Sequence, residues 1–516
     1  MMWRSFCFLA QSALIIVLFW GSLSRAQTSQ IPERVVGPVD ELSLTTLHGN
    51  VSAAIQPQYD RGETPGTTRL THMRIVLARS AEQQAALDRF EQELQERSSP
   101  NYHKWLTPDQ FGKLYGPADS DIAAIVAWLQ SHGLTLESVS PGRTNIAFSG
   151  MVSQVEEALH TSIHSYERNG EQFYSNNTDP EIPSALAPVI RGIAHLNTLR
   201  PKHLSVRASS GRMNHDTGRL EPFPTTANSR VAPNYMGSTG DLYVVPGDAA
   251  TIYDMPNSIL NANYQSGPNY DGTGVTIGIG GGDVIKTTTV QNYRSHFLGD
   301  TTAPTITNVD GDANSAAPSE AYLDIEIAGG LAPGATIHYY VANDLNAAIE
   351  RALTDNTVDI FSFSYLLCEK LNTTAGNALI NSYWEQAAAQ GIAVTVASGD
   401  SGSAGCDDAT NTNGQDTPEA TTGLEVNGYA STPYNVAVGG TDFYTFNQSS
   451  SSYSTSGGSA KTYYRSALKY IPESTWNDST QFDNALTYNQ PWGIGLSIYP
   501  ANIIAGGGGA SSCSTN

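Results

Sequence analysis

The sequence predicts an α/β fold, a mainly parallel sheet with helices on both faces, preceded by a separate α+β unit. Two patterns carry that expectation. From about residue 236 onward, short apolar runs such as Gly274–Gly280 (GVTIGIG) and Ile392–Ala397 (IAVTVA) alternate with helical periodicity. Strands apolar on both sides belong inside a parallel sheet, and connections long enough for a helix cover its two faces. Between about residues 45 and 200, strand and helix signals interleave with a hairpin instead, which points to an antiparallel sheet with helices packed on one face.

Taken in order, residues 1–26 begin basic at Arg4, run apolar from Phe6 to Trp20 and end on Ser24-Arg25-Ala26. That is the pattern of a removable secretory signal, and no later run approaches the ~20 apolar residues of a membrane span. The mature chain is expected to be secreted and off the membrane. His72–Leu77 reads as a strand, and Ser80 with Gln83 as a capping box opening a helix with Leu87, Phe90 and Leu94 on one face. Asp119 is expected to cap a helix through Ile122, Ile125, Val126 and Leu129, ended by Gly133. Leu134–Val139 and Asn145–Phe148 read as strands, Ser153 with Glu156 as a second box, and Asn169-Gly170 as the turn joining Ile163–Tyr166 to Gln172–Tyr174. Residues 201–235, with several Ser, Gly and Pro and no apolar periodicity, read as a linker. In the domain of residues 236–516, further strands are expected at Ala335–Val341, Val358–Tyr365 and Tyr434–Val438, with helices at Leu345–Thr354 and Asn377–Gln390 and a loop at Ser449–Ser459.

The 27 Lys and Arg against 49 Asp and Glu give a net charge of −22, a surface that repels nucleic acid and anionic membrane. Of four cysteines, Cys7 leaves with the signal. An oxidising compartment permits one disulfide, for which Cys368 with Cys406 is the expected pair, leaving Cys513 over.

Three stretches invite a chemical reading. In Pro318–Pro333, Glu320 and Asp324 lie four residues apart among apolar, helix-compatible neighbours, which puts both carboxylates on one helix face. Crowded and partly buried, two such groups do not both ionise easily, so one pKa is expected to rise and the pair to share a proton. On spacing alone the same pair also reads as a solvated acidic face. Gly278-Ile279-Gly280-Gly281-Gly282 imitates a dinucleotide loop, but Asp283 stands where its last glycine belongs. Gly399-Asp400-Ser401-Gly402 imitates the nucleophile motif of an all-β peptidase, yet it follows a parallel-sheet strand and lacks a matching His motif upstream.

The run Ser98-Ser99-Pro100-Asn101-Tyr102-His103-Lys104-Trp105-Leu106-Thr107-Pro108, then Phe111 and Tyr115-Gly116-Pro117, resembles the activation prodomain of the sedolisins, the serine-carboxyl peptidases typified by kumamolisin. The resemblance continues through Glu320-x-x-Leu323-Asp324, Ala332-Pro333-Gly334-Ala335, Ser398-Gly399-Asp400-Ser401-Gly402, Ala430-Ser431-Thr432-Pro433-Tyr434, Val438-Gly439-Gly440-Thr441 and Glu473-x-x-Trp476. It implies a ferredoxin-like prodomain that inhibits a subtilisin-like peptidase domain until acid-triggered cleavage in the linker, with polypeptides as substrates. By the same resemblance Glu320 is the general base toward a serine, Asp324 orients it, and Asp400 donates to the oxyanion. Ser364-Tyr365 and Ser398-Gly399 then line the substrate backbone, although Leu366 stands where the family usually has Gly.

The resemblance also places the nucleophile in a Gly-Thr-Ser-x-x-x-Pro motif after a glycine run, here Gly506–Gly509, followed by an Asp-rich calcium loop. Neither occurs within residues 1–516, so the calcium of the complete family member has no site here and this polypeptide is expected to be inactive alone. Ser459 precedes both landmarks and lacks the Pro, and Ser511, Ser512 and Ser514 read as loop residues. The alternative reading is a non-catalytic secreted protein that binds peptides or a partner; a nucleophile supplied by a second chain is a third.

Overall fold

A computed structural model describes residues 31–168, 170–203, 211–214, 219–222, 244–311, 319–407, 422–442, 450–453, 455, 464–476 and 505–511. The expected signal segment, Asn169 of the hairpin turn, most of the linker, Ser459 and Cys513 lie outside them.

In the N-terminal unit the elements are β1 (Arg69–Leu77), α1 (Ala81–Gln95), α2 (Pro108–Tyr115), α3 (Asp119–Ser131), β2 (Thr135–Val139), β3 (Asn145–Met151), α4 (Val152–Leu159), β4 (Ile163–Arg168), β5 (Glu171–Asn176) and β6 (Ile190–Ala194). Strands β2–β3–β1–β6 form an antiparallel sheet in that order. Met73, Ile75, Ile146, Phe148 and Ile193 pack from the sheet against Ile125 and Leu129 of α3 and Val155 and Leu159 of α4. Helix α1 opens on the expected box, with Ser80 Oγ accepting from Gln83 N and Gln83 Oε1 accepting from Ser80 N. Two caps differ from expectation. Ala118, not Asp119, is the N-cap of α3, with Asp119 inside the first turn. Helix α4 starts at Val152, where Gln154 Oε1 accepts from Met151 N; Glu156 instead accepts from Ile163 N and ties the helix to β4. The motif at 98–117 supplies α2, opened by a Thr107–Gln110 box that periodicity alone did not reveal.

The C-terminal unit holds β8 (Thr276–Gly281), α5 (Thr287–Phe297), β9 (Thr305–Asn308), α6 (Ser319–Leu331), β10 (Thr336–Val341), α7 (Leu345–Asp355), β11 (Ile360–Phe363), β12 (Tyr365–Leu366), α8 (Glu369–Gln390), β13 (Ala393–Ala397) and β14 (Val436–Val438); a short strand of the linker, β7 (Lys202–His203), precedes them. Six strands pair in parallel in the order β9–β10–β8–β11–β13–β14. Successive residues of β10 mark the two faces. Tyr339 joins Val290, Ala321 and Ile325 of α5 and α6, whereas Tyr340 joins Ile349 and Leu379 of α7 and α8. The α/β class and the two-faced cover agree with the sequence reading.

Helix α8 differs from its expected start at Asn377. It begins at Glu369 and is broken at Thr373, which adopts φ 62°, ψ 165°. A β-branched residue at positive φ is strained and persists only where its surroundings hold it. The surroundings here belong to the N-terminal unit. Thr374 N, which an unbroken helix turns back on Lys370 O, donates to Gly49 O at 2.9 Å, and Lys370 O accepts from Ala53 N at 3.2 Å. Ser52 Oγ donates to Leu371 O. An extended segment thus satisfies the helix groups that the break leaves over.

At its other end α8 receives the 98–117 motif. Leu106 N donates to Ala389 O, and Trp105 lies against Gly391, the C-cap glycine of the helix. Between the two ends Arg74, 2% exposed, points from β1 to Asp344 Oδ2 at 2.6 Å and Glu350 Oε2 at 3.6 Å. Such a buried cation is costly to leave unpaired, so this contact fixes how the two units seat.

Gly391 and Gly170 both have φ +80°, but a Cβ meets Trp105 at the first and open space at the second. Gly170→Ala is expected to cost only the left-handed penalty of about 1 kcal/mol, and Gly391→Ala at least about 2 kcal/mol, because the indole must also move. Denaturant unfolding of the two variants side by side measures the difference.

Candidate active site

Parallel strands bring their carboxyl ends to one edge, and that edge gathers the candidate residues. Asp283 follows β8, Ser364 lies between β11 and β12, and Ser398-Gly399-Asp400 follows β13. Helix α6 carries Glu320, 4% exposed, and Asp324 one turn on, whose Oδ1 accepts from Ser364 Oγ at 2.9 Å. The buried Tyr365 hydroxyl accepts from Gly282 N at 2.8 Å. Burial, with the charges of Asp283, Asp324 and Glu320 behind it, pushes its phenol up. One tyrosine therefore senses both carboxylates of the α6 pair and a third from the glycine-run end.

Burial pushes the Asp324 carboxyl up to about 6, and the bond from Ser364 works against that rise. The sequence reading expected one pKa of the pair to rise through crowding and partial burial; for Asp324 the rise comes from burial. Burial likewise raises Asp400 to about 6. Below that range Asp400 is a neutral carboxyl and can donate a hydrogen bond, which its ionised form cannot.

The loop carrying Asp400 is shaped by glycine. Gly399 has φ +118°, and a Cβ there meets Leu366 Cδ1 at 2.8 Å. The glycine run Gly506–Gly509 lies alongside: Gly507 N donates to Gly399 O at 2.7 Å and Ala505 N to Asp400 O at 2.9 Å. Ser398 Oγ is buried and has no hydrogen-bond partner among the described residues, and Ser401, buried, forms a β-bridge with Ala505. The disulfide forms between Cys368 and Cys406, the expected pair, with Cα atoms 5.1 Å apart. It ties the segment after β12 to the loop after Asp400.

Sequence reasoning missed three features. Asp283 was weighed only as a misfit in a cofactor loop. Asn427, whose side chain bonds to Tyr365 O, Ala397 O and Leu367 N, carries no motif of its own. The linker strand β7 pairs antiparallel with β12, Lys202 opposite Leu366 and His203 opposite Tyr365, so the chain's own backbone lies along the Tyr365–Leu366 wall. Among the described residues no group of three or more His, Cys, Asp or Glu side chains is placed to hold a metal ion, and no described helix is long and apolar enough to cross a membrane.

Carboxylates on a helix thus lie beside the carboxyl edge of a parallel sheet, with an N-terminal unit packed on the same domain and its linker strand paired with β12. Residues 57–199 match the family model "Pro-kumamolisin, activation domain". Sedolisin of Pseudomonas sp. (strain 101) is 25% identical over 442 residues, 82% of this chain and 65% of that protein. Kumamolisin of Bacillus sp. (strain MN-32) is 28% identical over 424 residues, 78% of this chain and 67% of that protein. Residues 57–199 thus match the activation domain of the sedolisin family, and the chain is similar to two of its members, spanning about two thirds of their length. A solved structure of Pseudomonas sedolisin, a serine-carboxyl proteinase complexed with two molecules of pseudo-iodotyrostatin, aligns over 53% of this chain and 64% of its own at 23% identity and a TM-score of 0.35.

Asp400 is more basic folded than unfolded, so its contribution to stability is full below the ordinary aspartate range near ~4 and is lost as pH rises through about 6. Asp400→Asn is therefore expected to match the native protein at about pH 4 and to exceed it by about 1–2 kcal/mol at about pH 8, the lower end reflecting partial exposure. Denaturant unfolding at the two pH values checks this.

Proposed function

We propose that this protein is a secreted, acid-active serine-type endopeptidase proenzyme that hydrolyses polypeptides through an acyl-enzyme. The observation that carries the reading is the antiparallel pairing of Lys202–His203 with Tyr365–Leu366: the wall beside Ser364 and Asp324 accepts extended polypeptide backbone. In this reading Glu320 takes the proton of the attacking serine hydroxyl as its oxygen adds to the scissile carbonyl, and returns it to the leaving amine. Asp324 orients Glu320. Neutral Asp400 donates to the carbonyl oxygen as it gains negative charge. Ser364, Tyr365, Ser398 and Gly399 hold the substrate backbone between the two walls. The prodomain is an intramolecular inhibitor, its linker lying where substrate backbone would run. Secretion is supported by the signal pattern of residues 1–26, and the net charge of −22 favours neither nucleic acid nor anionic membrane as a partner. Calcium belongs to the reading as a structural ion of the complete enzyme, on a loop outside these residues.

The nucleophile is proposed to reside in a Gly-Thr-Ser segment outside residues 1–516, so a polypeptide of these residues alone forms no acyl intermediate. Expressed alone it is expected to cleave no protein substrate at any pH. Expressed with the reading frame that follows codon 516, the acid-treated protein is expected to cleave with a rate that rises below about pH 5 and is lost in Glu320→Ala. Acid proteolysis by residues 1–516 alone would move the nucleophile into the chain itself. A rate that peaks at neutral pH would overturn the role of Asp400.

A further inference from the structure

We propose that Asn427 is a positioning residue for this reaction, which holds the strand that pairs with substrate backbone and the loop that carries Asp400 at a fixed separation; the proposal rests on the peptidase reading above. The ladder between β11 and β13 ends at the Phe363–Val396 pair. Beyond it the chain continues into Ser364–Leu366 after β11 and into Ser398–Asp400 after β13, the segments that form the two walls in the peptidase reading. Asn427, 1% exposed, spans them at the first residues past the ladder. Its Nδ2 donates to Tyr365 O and to Ala397 O, each at 2.9 Å. Its Oδ1 accepts from Leu367 N at 3.3 Å and Tyr429 N at 3.1 Å. A primary amide has two N–H groups and two acceptor sites, so the side chain is fully used.

The geometry is specific to an amide. Tyr365 O lies within the strand that the linker pairs with, and Ala397 directly precedes the Ser398-Gly399-Asp400 loop. Both carbonyls need a donor and Leu367 N needs an acceptor, which a carboxylate, a hydroxyl or an apolar side chain does not supply together. The segment holding Asn427 is itself pinned, with Glu369 N donating to Val426 O and Gly428 N to Leu367 O. Asn427 does not touch substrate in this arrangement; it acts through the two walls.

Asn427→Ala and Asn427→Asp test this against the native protein by hydrogen exchange in residues 364–368 and 397–401, and by titration of the Asp400 carboxyl in protein carrying isotope-labelled aspartate, assigned with Asp400→Asn. In Asn427→Ala, exchange is expected to rise at least about tenfold in both segments while β1, β3 and α3 keep their protection. The Asp400 midpoint is expected to fall from about 6 toward the ordinary aspartate range as water enters its loop, a change that a merely structural asparagine would not cause. Asn427→Asp is expected to behave like Asn427→Ala at about pH 8 and to approach the native protein at about pH 4, where a protonated carboxyl regains one donor. Should Asn427→Ala fail to fold, Asn427→Asp compared across pH carries the test. Loosening of only one segment, an even rise across the sheet, or an unmoved Asp400 midpoint would overturn the proposal. A native protein, expressed with its full reading frame, that hydrolyses no peptide removes the peptidase reading, and the exchange and titration results still decide whether Asn427 is a clamp.

Discussion

The burial of helix α8 is the constraint on which the two units depend. Sixteen of its 22 residues are buried, among them Glu385, Gln386 and Gln390, so it has no face given over to water. Gln386 and Gln390 bond to each other, and Gln390 also to Leu353 O and Asn356 beside α7, but Glu385 takes partners from a second body, Arg79 and Gln84. The sheet takes the side bearing Leu379 and Trp384, and the N-terminal unit packs on much of what remains. Arg79 reaches Glu385, Asn145 reaches the Tyr383 hydroxyl, and Leu106 meets Ala389. The 98–117 motif and strand β1 are shaped by this shared helix as much as by their own core.

The site inherits its geometry from the parallel sheet. Strands that run the same way deliver their carboxyl ends to one edge, so Asp283, Ser364 and Asp400 come together although far apart in sequence. The same packing that gathers them dries them. Asp324 and Asp400 rise to about 6 because the edge is crowded with Tyr339, Tyr365, Leu366 and the glycine run, with no dedicated partner charge required. The pH response of such a site follows from packing density near the carboxyls.

Much of this was legible in the sequence because it is local or periodic. The β8 and β13 runs, the Ser80–Gln83 box and the split between an antiparallel and a parallel unit follow from apolar spacing and capping chemistry, and the structure agrees with each. The Glu320–Asp324 pair was visible as spacing on one helix face. How far burial rather than the neighbouring charge raises Asp324 was not legible, because the degree of desolvation is set by the fold. The break at Thr373 was illegible for a related reason: it lies before Asn377, where the helix was expected to begin, and the segment that holds it lies more than 300 residues away in sequence. Asn427 bonds to backbone atoms at positions 365, 367 and 397, and no local pattern announces an amide whose partners are all main chain.

The segment seated in that break is held almost entirely through its backbone. Gly49 O and Ala53 N carry two of the three hydrogen bonds, and only Ser52 contributes a side chain. Main-chain recognition is indifferent to most side chains, so Val51 and Ala53 are free to drift while the fit survives. Gly49 is not, since a Cβ there runs into Thr374. The joint between the two units can accumulate sequence change over long divergence and still close in the same way, which separates the history of its residues from the history of its shape.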